Sequence, residues 1–162
     1  MRFSRLVCAL MCFMPLSASA VKVGDQLPKT LVEDAAGKSV EPWAGKKALI
    51  NFWATWCEAC KVELKEMKDE AGKIPADRKV IFVSLDKEPA KAKSYFADQL
   101  KADAGLMASL HFDPSFKLAD ALGVESFPLT LIVDASGRVL SVQDGFKEGT
   151  GSTARLFEEL KK

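Results

Sequence analysis

The feature that most constrains this chain is an apolar run ending in two closely spaced cysteines, with a helical pattern directly behind them. Lys47-Ala48-Leu49-Ile50-Asn51-Phe52-Trp53 reads as a buried strand, and Ala54-Thr55-Trp56-Cys57-Glu58-Ala59-Cys60 follows it. From Glu58 to Glu70 the residues repeat with helical spacing. Cys57 is therefore expected at a helix N-terminus, where free backbone N–H groups and the helix dipole favour an anion. The thiolate is the reactive form of cysteine, so this position activates Cys57 without a histidine base.

Which chemistry the pair performs follows from what surrounds it. Residues 1–20 have the parts of an export signal: Arg2 and Arg5, an apolar stretch from Leu6 to Leu16, and Ala18-Ser19-Ala20 as a small-x-small cleavage site. The apolar stretch is well below the roughly 20 residues that span a bilayer. Neither Cys8 nor Cys12 follows the small residues that lipoprotein processing requires. Cleavage after Ala20 is expected, leaving residues 21–162 as one domain whose only cysteines are Cys57 and Cys60. One close pair in an exported chain is not a structural disulfide framework. Haem attachment needs His where Lys61 stands, and structural zinc needs a second ligand pair, for which the mature chain offers only His111. A copper chaperone of the C-x-x-x-C kind has a different spacing. Dithiol–disulfide exchange remains.

Composition closes other routes. Removing Arg2 and Arg5 from the 23 basic residues leaves 21 against 22 acidic ones, dispersed along the chain. That balance gives no footprint for nucleic acid or an anionic membrane surface. No G-x-G-x-x-G follows a strand, so a nicotinamide or flavin cofactor is not expected, nor is a metal.

The rest of the chain alternates strands and helices. Thr30–Asp34 and Ser39–Glu41 read as a short hairpin around Ala35-Ala36-Gly37-Lys38. Lys79–Leu85 is an apolar strand, and Pro89 opens a helix of about eleven residues with Ala92, Tyr95, Phe96 and Leu100 on one stripe. Leu106–His111 is expected as a strand and Ser115–Leu122 as a short helix stopped by Gly123. Leu129–Val133 and Arg138–Val142 form a strand pair around Ser136-Gly137. A closing helix over Leu156–Leu160 is expected to be capped by Ser152 or Thr153. Trp53 belongs to the core, Trp43 covers one end of the sheet, and His111 is a packed or half-exposed loop residue. Parallel pairing with right-handed crossovers is expected in the first half.

Trp56-Cys57-x-x-Cys60 between a strand and a helix resembles thioredoxin. Asn51-Phe52-Trp53-Ala54-Thr55-Trp56-Cys57-Glu58-x-Cys60 resembles the TlpA/ResA-like branch of exported thiol-disulfide reductases. The likeness extends over about residues 23–160 and includes the extra strand-helix unit between the cysteine helix and Phe127-Pro128. It implies an α/β thioredoxin fold: a central mixed sheet with helices on both faces, an N-terminal hairpin and a central strand-helix insertion. In such a protein Cys57 attacks a substrate disulfide and Cys60 resolves the mixed disulfide. Trp56, Phe127 and Pro128 would meet the substrate, with Pro128 in a cis peptide; otherwise Pro128 simply begins a strand. Glu63 falls one turn after Cys60, and C-x-x-C-x-x-Glu resembles a proton acceptor for the second thiol, since Asn51 stands where thioredoxin has a buried Asp. Alternatively Glu63 is a surface residue paired with Lys61, Lys65 or Lys68.

Glu58 and Ala59 tune the couple. A carboxylate beside Cys57 opposes the thiolate and makes the pair more reducing. Ala59 and Lys65 depart from the prolines frequent at these places in the family. The resemblance further implies a periplasmic monomer that reduces protein disulfides, takes electrons from a membrane dithiol donor, and serves cytochrome c maturation. Two rivals stand beside it. A thiol peroxidase of the related peroxiredoxin type would need a different approach to its cysteine and an arginine nearby. A non-catalytic thioredoxin-like binding module would not need both cysteines.

Overall fold

A computed structural model describes residues 20–30 and 32–162. The proposed signal segment, apart from Ala20, lies outside the described residues, as does Leu31 of the first expected strand.

Among the described residues, seven strands form a single mixed sheet. Strands β1 (Val32–Glu33) and β2 (Ser39–Val40) make the small antiparallel hairpin, held at its tip by the Asp34 carboxylate, which accepts from the Ala36 and Lys38 N–H groups. Strand β3 (Lys47–Trp53) is followed by helix α1 (Glu58–Ala71), then by β4 (Arg78–Ser84), which pairs with β3 in parallel. Helix α2 (Pro89–Ser94) passes directly into a five-residue π turn, Tyr95–Gln99. Helix α3 (Ala104–Ala108) and strand β5 (Leu110–Phe112) complete the insertion, and β5 runs parallel to β4. Helix α4 (Lys117–Ala121) leads to β6 (Leu129–Val133) and β7 (Val139–Asp144), both antiparallel to their neighbours. Helix α5 (Ser152–Lys161) ends the chain. The order across the sheet is β2-β1-β5-β4-β3-β6-β7.

Alternation along β3 divides the core between the two faces. Ala48, Ile50 and Phe52 point to one side, with Ile81, Val83, Leu118 and Leu131; Leu49 and Trp53 point to the other, with Leu64, Met67, Phe96 and Phe157. Helices α1 and α5 thus cover one face and α4 the other, which explains why β3 and β4 lack polar alternation. Asn51 shares the α1 face and is the buried polar residue in the middle of β3.

Three local expectations change. The segment expected as a strand over 106–111 begins as helix α3, because Asp103 caps it by accepting from Leu106 N–H, at 2.8 Å. His111 is accordingly a buried strand residue rather than a loop residue; its Nδ1 lies 3.0 Å from the Ser109 carbonyl, and burial holds its pKa below the usual histidine value. Helix α5 begins after Gly151 in a left-handed conformation (φ 69°), with no side-chain cap; the Ser152 and Thr153 hydroxyls are buried without partners. The helix from Pro89 has the expected extent, but its second half opens to π spacing through the bond from Leu100 N–H to the Tyr95 carbonyl. That turn seats Phe96 against Trp53 and Phe82, at centroid distances of 5.3 and 5.6 Å.

Candidate functional site

The site lies where β3 ends and α1 begins. The turn between them is fixed from three directions. Leu85 N–H donates to the Trp53 carbonyl, and Cys57 N–H to the Ala54 carbonyl. From the end of β4, buried Asp86 reaches across: its carboxylate accepts from Thr55 N–H at 3.0 Å, Thr55 Oγ1 at 2.6 Å and Ser84 Oγ at 2.9 Å. Replacing Asp86 with alanine strands these donors. The expected result is a loss of about 2–4 kcal/mol in urea unfolding. A loss below about 0.5 kcal/mol would mean the turn holds itself.

Cys57 is the N-cap of α1, in extended backbone conformation, and its Sγ accepts from Cys60 N–H at 3.2 Å. The two cysteines are joined in a disulfide with their Cα atoms 5.3 Å apart. Their environments differ: Cys57 is half-buried, whereas Cys60 is fully buried and belongs to the core cluster under α1. An incoming group therefore meets the Cys57 sulfur first.

Directly before Cys57 the chain exposes a large aromatic ring. Trp56 is 59% exposed, an unusual cost for so large a ring, and its edge meets Phe127 with centroids 5.8 Å apart. The Phe127–Pro128 peptide is cis. Register pairs Phe52 with Leu129, so Pro128 lies at the end of the sheet from which β3 runs out to the cysteines. Glu58 is exposed on the first turn of α1, where Lys61 Nζ binds it at 2.6 Å, and Ala59 is exposed beside it. Lys61 thus offsets the charge that the sequence places next to Cys57.

Glu63 is neither exposed nor paired with a lysine. It is fully buried beneath α1 and bound by two amides: Asn51 Nδ2 donates to Oε2 at 2.8 Å, and Gln143 Nε2 to Oε1 at 2.9 Å. Asn51 Nδ2 also donates to Thr130 Oγ1, at 2.9 Å. Burial pushes the Glu63 carboxyl up to about 7; the Asn51 and Gln143 amides pull it down, and the Glu66 charge adds to the upward push.

Asn51, Thr130 and Gln143 are register partners on β3, β6 and β7. They form a polar row across three strands directly under the Glu63 carboxyl. Sequence reasoning reached Asn51 and Glu63 but missed Gln143, whose signal exists only once β7 is placed in register. It also passed over Asp86, although an Asp ending a buried strand after Ser84 is a usable hint. Among the described residues, no group of three or more His, Cys, Asp or Glu is placed to hold a metal ion, and no helix is long and apolar enough to cross a membrane.

A mixed thioredoxin-fold sheet carrying a C-x-x-C disulfide at the head of α1 defines the class: a thiol-disulfide oxidoreductase working through a cysteine pair. More particularly, the chain belongs to the AhpC/TSA family, whose sequence model matches residues 23–142. It is 27% identical over 144 residues to thiol-disulfide oxidoreductase ResA of Halalkalibacterium halodurans, covering 88% of this chain and 77% of the relative. It is 32% identical over 131 residues to thioredoxin-like protein YneN of Bacillus subtilis, covering 77% of this chain and 73% of that protein. Among solved structures it resembles a putative thiol:disulfide interchange protein DsbE from Chlorobium tepidum, with a TM-score of 0.72 and 24% identity, over 86% of this chain and 97% of the other. These place the chain in the TlpA/ResA-like group expected from Asn51–Cys60.

Proposed function

We propose that the protein reduces disulfides in exported protein substrates, with Cys57 as nucleophile and Cys60 as resolving thiol. The observation that carries this reading is the asymmetry of the pair: Cys57 is half-buried at a helix N-terminus, whereas Cys60 is sealed in the core, one turn from Glu63. The Cys57 thiolate attacks one sulfur of the substrate disulfide and expels the other as a thiolate, which takes a proton from solvent. Glu63, ionised, takes the proton of the Cys60 thiol. The Cys60 thiolate then attacks Cys57, forms the Cys57–Cys60 bond and releases the second substrate thiolate. Two electrons pass from the enzyme dithiol to the substrate.

Trp56, Phe127 and cis Pro128 are assigned to the substrate: Trp56 precedes Cys57, its ring meets Phe127, and Phe127 leads into the cis peptide at Pro128. The basic start and small-x-small end of residues 1–20 support export, with residues 21–162 as the mature domain. In an oxidising compartment such as the periplasm the dithiol must be regenerated, which assigns a membrane dithiol carrier as donor to a monomeric enzyme. The likeness to proteins named ResA and DsbE supports a place in cytochrome c maturation, with apoprotein cysteines as substrate.

One experiment tests the core of this proposal. The reduced mature protein is mixed with a disulfide-bonded apocytochrome peptide, and in parallel with hydrogen peroxide, and thiols are counted by alkylation and mass measurement. Rapid oxidation of the Cys57–Cys60 pair by the peptide, with peroxide at least about tenfold slower, is expected. Faster turnover with peroxide would give the protein to peroxidase chemistry, and no cycling in either arm would make it a binding module.

A further inference from the structure

The hydrogen bonding around Asn51 does not close. Its Nδ2 serves two acceptors, Glu63 Oε2 and Thr130 Oγ1, while its Oδ1 is buried with no donor among the described residues. A buried polar atom left bare is unfavourable, and here either orientation of the amide leaves one of its two ends without a partner, so the end that faces Glu63 decides between them. Here the opposite orientation would aim Oδ1 at Glu63 Oε2, which an ionised carboxylate forbids. It becomes favourable once Glu63 carries a proton, because the new O–H can donate to Oδ1. Thr130 suits either arrangement: its hydroxyl accepts from Nδ2 in one and donates to Oδ1 in the other. Gln143 Nε2 holds the second carboxylate oxygen in the orientation observed. The amide orientation of Asn51 is thereby tied to the charge of the residue one turn from Cys60.

We propose that Asn51 is a proton-coupled positioning residue whose side-chain amide rotates by half a turn when Glu63 is protonated, with Thr130 reversing its hydroxyl in step. This deepens the proposed role of Glu63 as acceptor of the Cys60 proton and rests on it. The rotation supplies a hydrogen-bond partner to both charge states, so the proton moves on and off Glu63 without leaving its O–H or its carboxylate unmatched on that side. The groups facing Glu63 from the sheet, Asn51, Thr130 and Gln143, are all uncharged. Among the described residues, the charged group acting on it is Glu66 on its own helix. A change of charge at Glu63 is therefore answered by dipoles rather than by an ion pair.

The test is an NMR titration of the mature oxidised protein from pH 4.5 to 9, following the Glu63 side-chain carboxyl carbon and the Asn51 side-chain amide. The two are expected to shift with one common midpoint. Contacts between the Asn51 amide protons and the Thr130 side chain should be strong above it and lost below it. An Asn51 amide that keeps these contacts unchanged through the Glu63 midpoint overturns the inference. Asn51→Leu gives a second readout. It removes a donor from the ionised state and an acceptor from the protonated one, so the Glu63 midpoint should move by less than about half a pH unit. A fixed donor stabilising only the carboxylate would instead make it rise by about 1–2 units, which also overturns the inference. Failure of the underlying reading is seen separately: if Glu63→Gln leaves the pH profile of Cys60 attack on a Cys57 mixed disulfide unchanged, Glu63 is not the acceptor, whatever Asn51 does.

Discussion

Cys60→Ser is expected to stop the enzyme as a stable adduct, with Cys57 joined to its substrate by a disulfide that no internal thiol resolves. Cys57→Ser should form no adduct at all. Both lose steady-state reduction by on the order of 10³-fold or more, since a serine hydroxyl is not ionised at neutral pH and the remaining groups cannot replace the thiolate. Non-reducing electrophoresis with a disulfide-bonded peptide separates the two outcomes. The difference follows from burial: Cys60 is sealed beneath α1, whereas Cys57 has an open side. An adduct formed equally by both variants would remove the assigned order of attack.

The second large effect is on stability. The folded Glu63 carboxyl titrates near 7, against 4.5 for the unrestrained group. Below about 4.5 it is protonated in both folded and unfolded chains. Between 4.5 and 7 the folded state holds the proton while the unfolded state releases it, so stability falls as pH rises through this window. Above 7 both are ionised and the loss is complete, at about 3 kcal/mol. His111, whose folded pKa is depressed, works in the opposite direction below its unfolded value, so comparison with a variant isolates the carboxyl. Glu63→Gln is expected to flatten this part of the profile, measured by denaturant unfolding of the oxidised protein at pH 5, 6, 7 and 8. A profile unaffected by the substitution would mean that Glu63 is solvated rather than buried.

How much of this was legible in the chain depended on whether the information was local. The β3–Cys57–α1 unit was legible because its signals are contiguous: an apolar run, two cysteines, and helical spacing from Glu58. The family resemblance carried the fold's overall plan, including the insertion formed by α2, α3 and β5. The polar row beneath Glu63 was not legible as a unit. Asn51, Thr130 and Gln143 are separated by up to 92 positions in the numbering of the chain, and only the β3-β6-β7 register makes them neighbours. Burial decided the case of Glu63, whose helical spacing fits the surface as well as the interior; the structure turns it toward the sheet. The start of α3 was misread because the aliphatic residues Leu106 and Met107 suit a strand, while the Asp103 cap that starts a helix is a single hydrogen bond.

The N-terminal hairpin has a consequence for how the molecule behaves in a crowded compartment. Among the described residues, the sheet continues beyond β5 through β1 and β2, each two residues long. An edge that short leaves few unpaired backbone groups against which a stray extended chain can zip up. The hairpin side of the sheet thereby offers little template for aggregation, and the longer edge lies on the opposite side, at β7.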